Sequence, residues 1–372
     1  VVAWSFNPRR DADRLRVVML VQKVDAADWL LGFTIGWIRA LAARVESVDV
    51  VTLEQRAADL PANVRVHSLG KERGTSRIQQ VLRFEAILSN LARHSDVIFG
   101  HLTPRYTWLA APFAALHSVP QCLWYTHRNI DRDLRLALPC VRWIVTAAPG
   151  SFPLSTPKVQ VMGHGIDAHY FTPANPDHPD RPTQLDRDPP LILAVGRLAP
   201  IKHHHILIDA AAHLRDRGVA AHFAIAGGVA SADGAAYRAQ LAARIVALNL
   251  SDRFHLLDAV RGDDLLVWYR RASVVTNLSP PGLFDKAALE AMLTARPVLV
   301  ANPAFDPVLG AYRDALRVNT PDAVDAISAR LADLLAMSEA ERAAIGAALR
   351  ERTIQAHSLD RLMDRLVALF AS

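Results

Sequence analysis

The chain has 372 residues, 51% hydrophobic and 21% charged, with a formal net charge of +5. That length exceeds what one hydrophobic core usually organises and suits two ordinary domains, while the composition excludes a disordered or fibrous protein. The arginines are dispersed and form no Lys/Arg block with interleaved aromatics, which argues against nucleic-acid binding. The basic surplus remains compatible with anionic ligands or an anionic membrane face.

In chain order, LRVVMLVQKV from Leu15 has a strand pattern. A short Asp-rich loop, a helix-period stretch from Trp29 to Arg44 and an apolar strand from Val48 to Leu53 follow, completing a βαβ opening. Further short apolar runs at 96–100, 121–125 and 143–146 alternate with helical patterns such as Ile78–Leu91. A doubly wound parallel sheet fits this alternation best. Cys122 and Cys140 share no Cys-x-x-Cys spacing, so neither a disulfide framework nor a zinc site is expected. The first residues show no charged-then-apolar leader, and no run nears the roughly 20 apolar residues needed to cross a bilayer. The expectation is a soluble, cytoplasmic protein, with peripheral contact at the inner membrane face open through basic helix faces such as that of Arg77 and Arg83.

Residues 172–190, dense in Pro, Asp and Arg, read as an exposed linker. The expected division is therefore an N-terminal domain at 1–171, the linker at 172–190 and a second α/β domain at 191–356. Strands are expected in the latter at 191–195, 221–226, 253–257, 273–277 and 297–301, with helices at 202–215, 235–248, 263–271 and 286–294 between them. The Ala/Leu/Arg-rich end is helical, and Leu362, Leu366 and Leu369 would give residues 357–372 an apolar face to pack back on the first domain. The two halves would be copies of one architecture facing each other across a ligand cleft.

The chemistry concentrates between Leu191 and Ala301. LILAVGRLAPIK places Gly196, Arg197 and Lys202 after a strand, where ligands of open parallel sheets collect and helix N-termini favour phosphate. Two cations there would neutralise a diphosphate and stabilise it as a leaving group, the task a metal performs elsewhere. Glu290, in AALEAM after the turn of Pro280, Pro281 and Gly282, has no obvious structural partner and would hold ribose hydroxyls. A solvated helix glutamate is the plainer alternative. The run His203, His204 and His205 points in different directions on a helix, so it reads as solvated surface and not as a metal site.

The order GR, K, AGG, SP, LEAM and RPV, together with YTH at 125–127 and HGID at 164–167, resembles the family 4 retaining glycosyltransferases of the GT-B fold. The resemblance runs from the first βαβ unit to the last helix, and its specificity lies in the ordered set. It implies two doubly wound Rossmann-like domains facing across a cleft, with the C-terminal helix on the first. It also implies metal-independent transfer of a hexose from a nucleotide-diphosphate sugar to an acceptor hydroxyl on a glycan, lipid carrier or small metabolite, with no cofactor. Arg197 and Lys202 would take the diphosphate and Glu290 the ribose; Val260 is carried over to the donor site as well. His127 would approach the transferred sugar, His164 would line the cleft, and Gly32 would let the backbone approach donor or acceptor. The new bond would form on the face the nucleotide leaves, the departing phosphate drawing the acceptor's proton, so no carboxylate pair at glycosidase spacing is needed.

One departure stands out. The family's motif has two glutamates flanking seven residues, and Gly282 occupies the first position here. Asp285 and Lys286 follow, and a variant motif would have Asp285 contact sugar hydroxyls and Lys286 the phosphates. The alternatives are that Asp285 only caps the helix beginning at Lys286, or that the chain is a catalytically impaired nucleotide-sugar-binding protein. Ala295 also stands before Arg296 where a helix-ending glycine is usual, which touches the cap and not the chemistry. A nicotinamide-dependent oxidoreductase would need Gly-x-Gly-x-x-Gly at the first βα turn, which reads QKVDAADWLLGF.

Overall fold

Strand β1 (Arg16–Val24, RVVMLVQKV) buries five successive residues, Val17–Val21, and Val24, which is how a strand reads when helices cover both faces of its sheet. A computed structural model describes residues 11–28, 31–127, 129–173, 189–229, 231–320 and 322–372. It divides into two units, one made of the residues up to Gly165 with His357–Ser372, the other Ile166–Ala356.

In the first unit β1 is joined by β2 (Ser47–Gln55), β3 (Val64–Ser68), β4 (Val97–His101), β5 (Gln121–Trp124), β6 (Trp143–Thr146) and β7 (Val159–Val161). They form a seven-stranded sheet in the order β3-β2-β1-β4-β5-β6-β7, parallel at every pairing. Helices α1 (Phe33–Ala42), α2 (Arg77–Leu91), α3 (Pro104–Leu109), α4 (Ala111–Leu116) and α5 (Arg132–Ala137) lie among these strands in sequence. The second unit pairs β8 (Leu191–Val195), β9 (His222–Ala226), β10 (Phe254–Leu257), β11 (Val274–Asn277) and β12 (Val298–Val300) in the order β10-β9-β8-β11-β12, again all parallel. Its helices are α6 (His204–Asp216), α7 (Ala232–Ala247), α8 (Gly262–Arg271), α9 (Lys286–Leu293), α10 (Asp306–Leu309), α11 (Arg313–Leu316), α12 (Val324–Ala336) and α13 (Glu339–His357). Both sheets begin in the middle, wind to one edge, and return to the other side of the first strand.

The last helix, α14 (Leu359–Phe370), starts where the Ser358 hydroxyl accepts from the Arg361 N–H. It packs on α1: the Arg44 guanidinium bridges Asp364 at 2.7 Å and Asp360 at 2.9 Å, and the Phe370 ring lies 5.6 Å from Phe99. Its buried face is Leu359, Leu362, Met363, Leu366, Val367 and Phe370, so the expected stripe is shifted and Leu369 falls at its edge. Residues 166–173 belong to the second unit, not the first. Tyr170 donates to Asp263 at 3.0 Å, Arg270 donates to the Thr172 carbonyl at 2.9 Å, and Phe171 meets Tyr269 edge-on. Most of the linker expected at 172–190, residues 174–188, lies outside the described residues, as do Trp29 and Leu30 at the expected start of the first helix.

Helix α9 ends in a Schellman turn, with Ala295 donating to the Met292 carbonyl at 3.0 Å and Arg296 to Ala291 at 3.2 Å. That turn needs a left-handed residue, and Ala295 supplies it at φ 55°. A Cβ in this region costs roughly 1–2 kcal/mol, offset in part by the greater chain entropy of glycine. Ala295→Gly should therefore stabilise the protein by about 1 kcal/mol, read as a raised denaturant midpoint with unchanged slope. Helix α13 crosses so near that a Cβ on Gly346 would fall on the Ala295 carbonyl. Among the described residues no helix is long and apolar enough to cross a membrane.

Candidate active site

In the second unit the chain reverses its winding at β8, whose neighbours are β9 and β11. The crevice beyond the carboxyl ends of strands at such a switch point is where open parallel sheets take ligands. Two chain segments supply it. Strand β8 runs into Gly196 and an exposed Arg197, then a short 3-10 turn, Pro200–Lys202. Strand β11 ends at Asn277 and continues through Leu278 and Ser279 into the Pro281-Gly282 turn; Asp285 then stands at the start of α9.

These segments converge on one ion pair. The Lys202 ammonium contacts both carboxylate oxygens of Asp285, at 2.5 and 2.6 Å, with side chains only 12% and 20% exposed. Asn277 Nδ2 donates to the same carboxylate at 3.0 Å, and so does the Ser279 hydroxyl. Burial pushes the Asp285 carboxyl up, but Lys202, Ser279 and Asn277 together hold it below its ordinary value. Asp285 occupies the N-cap position of α9 without a capping hydrogen bond, so capping is not what its carboxylate does.

The three histidines are not a solvated helix face. His203 precedes α6 in the left-handed region at φ 53°, its Nδ1 3.1 Å from the Leu278 carbonyl, which ties the β8 loop to the end of β11. His204 is buried, and its pKa falls to about 4 through desolvation and the Lys202 charge, leaving a neutral ring beside the cation. His205 Nδ1 is 2.9 Å from the Tyr237 hydroxyl. The helical register expected from Lys202 breaks at His203, which turns each ring to a separate partner. Among the described residues no group of three or more His, Cys, Asp or Glu is placed to hold a metal ion.

Gly282 sits at φ 90° in a turn closed by Leu283 N–H on the Pro280 carbonyl at 3.2 Å. Proline followed by a glycine of positive φ is the signature of a type II turn, so a backbone that disfavours any Cβ occupies the place of the missing glutamate. Glu290 has a partner the sequence does not reveal: the Tyr269 hydroxyl donates to its Oε2 at 2.9 Å, with the Ala287 carbonyl 3.2 Å from the same hydroxyl oxygen. Burial raises the Glu290 carboxyl, against the Tyr269 hydrogen bond and the Lys286 charge. Burial likewise lowers the Lys286 ammonium to about 8, with Glu290 opposing. Thus Lys286 and Glu290 of α9, with Tyr269 of α8, form a second polar group. Val260, between β10 and α8, is half-buried against the core of the unit.

The remaining expected residues lie in the first unit. His127 is exposed beyond β5, its ring 5.6 Å from Tyr125. His164 is buried between Gly163 and Gly165, both at positive φ. Gly32 precedes α1, and a Cβ there would come within 2.5 Å of the Asp28 carbonyl that accepts its N–H. Its glycine is thus required by the loop itself. Here too a cation stands at the carboxyl end of the central strand, but Lys23 is ringed by Asp25 and Asp28, each at 2.9 Å, and Glu54 at 3.3 Å. Asn277, Ser279 and Tyr269 were not singled out from the sequence. The first two sit in NLSPPG (277–282) and follow from the rule that residues just past a central strand reach the ligand; Tyr269 carries no local signal.

Residues 189–337 match the family model described as "Glycosyl transferases group 1". A curated relative, D-inositol 3-phosphate glycosyltransferase of Frankia alni, is 32% identical over 148 residues, covering 39% of this chain and 36% of that protein. The chain spans about a third of the length of the first curated relatives it matches. Among solved structures, sucrose-phosphate synthase from Thermosynechococcus elongatus superposes with a TM-score of 0.73 at 17% identity, covering 96% of this chain and 98% of that one. HepE of Anabaena, in complex with UDP and glucose, gives 0.66 at 17% identity over 96% and 100%. The fold is GT-B.

Proposed function

We propose that the protein is a glycosyltransferase that moves a hexose from a nucleotide-diphosphate sugar to an acceptor hydroxyl. The observation that carries this reading is the placement of Lys202 at the switch point of a group 1 glycosyltransferase domain, among hydrogen-bond donors suited to an anion. Arg197 and Lys202 take the diphosphate, Glu290 and Val260 the nucleoside, and Lys286 adds charge to the phosphates. The bond between the anomeric carbon and the β-phosphate oxygen breaks, and its electron pair stays with the phosphate. The acceptor oxygen bonds to the same face of the sugar and passes its proton to the leaving phosphate oxygen. The cations stabilise the developing diphosphate without a metal, as preorganised charges do in acyl and phosphoryl transfers. Asp285 contacts the sugar.

The HepE complex contains UDP, which makes UDP-sugars the first donors to try. The test is a thermal-shift screen against UDP, GDP, ADP and their sugar conjugates, followed by assay of nucleoside diphosphate release. Stabilisation by one base together with release of its diphosphate supports a transferase. The Gly282 turn favours a second reading, a nucleotide-sugar-binding protein impaired in catalysis, for which stabilisation without release across acceptor mixtures is the expected result. Peripheral contact with an anionic membrane through the α2 face is a further proposal, read by vesicle sedimentation at low and high salt. Glu290→Gln weakens one of two acceptors for the ribose, and the dissociation constant for the nucleoside diphosphate should rise about tenfold by isothermal titration. An unchanged constant removes Glu290 from the ribose site.

A further inference from the structure

We infer that Asp285 occupies the phosphate position of its own site, so that an incoming diphosphate must displace this carboxylate from Lys202 before it binds. The inference rests on the donor-site reading above and deepens it.

Three donors from two segments surround one anion: Lys202 from the β8 loop, and Asn277 and Ser279 from the end of β11 and the residues just after it. Lys202 also reaches the Ser279 hydroxyl at 3.4 Å, so the donors face one point. A phosphate oxygen accepts from ammonium, amide and hydroxyl as a carboxylate oxygen does. Asp285 therefore satisfies in advance the groups that would otherwise recognise phosphate. A diphosphate brought beside Lys202 with Asp285 unmoved would set two anions against each other in a poorly solvated pocket, an arrangement that like-charge repulsion disfavours.

The carboxylate has somewhere to go. Asp285 follows the Pro281-Gly282 turn and sits at the N-cap, outside the helical hydrogen bonding of α9, and its side chain is not tied to the first turn of that helix. Once displaced it becomes an acceptor for sugar hydroxyls, beside the phosphate that displaced it. The exchange makes binding of the diphosphate and exposure of the sugar-contacting carboxylate a single event. A free anion without a sugar pays for the displacement and gains nothing from the released carboxylate, so the site discriminates against the bare diphosphate and in favour of the intact donor.

The measurement is isothermal titration of the full chain with UDP, GDP, ADP and inorganic pyrophosphate, for wild type, Asp285→Asn and Asp285→Ser. Circular dichroism is recorded on each protein. Asparagine keeps the shape and removes the charge, and serine removes the competing group altogether. The expected result is diphosphate or pyrophosphate binding at least about tenfold tighter in a folded Asp285 variant than in wild type, with the gain abolished by adding Lys202→Met. Transfer should fall in the same variants, since the sugar contact is lost while the anion binds better. Equal or weaker anion binding in both folded variants overturns the inference, whether or not wild type binds a nucleotide. Tighter pyrophosphate binding with no nucleotide bound by any protein upholds the self-occupied anion site and sinks the nucleotide-donor reading instead. Wild type that binds a nucleoside diphosphate and releases it from its sugar conjugate, with variants that bind no tighter, does the reverse.

Discussion

Lys202→Met should remove nucleoside diphosphate binding and cost about 3 kcal/mol of stability at neutral pH, because it strands the Asp285 carboxylate in a pocket built around a cation. The two effects have different origins and different readouts. Loss of binding follows from losing the charge that faces the phosphates, and titration calorimetry reads it directly. Loss of stability follows from an uncompensated anion, and its pH dependence identifies it. In the wild type the carboxyl is held below its ordinary value, so its contribution is present above the usual carboxylate range and fades as pH falls through the depressed value. In the variant the burial that pushes the carboxyl up is unopposed by Lys202, so acid relieves the stranded charge. The gap between wild type and variant in urea midpoint should therefore be widest near pH 7 and narrow below about pH 4. A gap constant with pH would mean that the variant suffers from lost packing and not from a stranded carboxylate.

Gly346→Ala should destabilise by about 3 kcal/mol, the upper part of the range for an overpacked site. The sign is the informative part. Alanine in place of glycine inside a helix ordinarily stabilises by about 1 kcal/mol, and Gly346 lies within the nineteen residues of α13. Here the added methyl would meet the carbonyl of Ala295 and approach the Arg296 nitrogen, which are backbone atoms that cannot rotate aside. Either α13 lifts away or the Schellman turn closing α9 opens. Because α9 carries Lys286 and Glu290, the same substitution should weaken donor binding from a position with no ligand contact. Thermal denaturation and titration with the preferred nucleotide read the two consequences; a stabilised variant would show that the two segments separate without cost.

The legible part of the fold was the part set by local pattern. The nine-residue run of β1 and the strand, turn and helix sequence after Leu191 show themselves through period and punctuation alone. Strands β3 and β7 were not anticipated because each is short, at an edge of the sheet and partly solvated, and so lacks the continuous apolar run that betrays a buried strand. In the site, Lys202 and Glu290 stand out by position after a strand and a turn, and Asp285 and Lys286 through the resemblance to the family motif, but their pairing does not. The Lys202–Asp285 contact joins residues 83 positions apart, and the Tyr269–Glu290 contact joins two helices. Spacing in sequence does not encode either. The histidine run failed for a narrower reason: a helix was assumed from Lys202, whereas His203 lies at positive φ and resets the direction of every side chain after it.

The return of α14 to the first unit bears on how the chain acquires its structure during synthesis. The residues of the second unit are continuous from Ile166 to Ala356, so that unit has all its parts as soon as its last residue emerges. The first unit, although its strands are translated earlier, is completed only by His357–Ser372, which bring Phe370 to Phe99 and the carboxylates of Asp360 and Asp364 to Arg44. Domains generally fold as units on the ribosome, N-terminal first, and here the order of completion is inverted. Until those residues emerge, the nascent first unit must keep the surface that α14 will cover away from other apolar chains, and the residues after Ala356 act as a late closing segment whose loss would be felt most by the part of the protein made first.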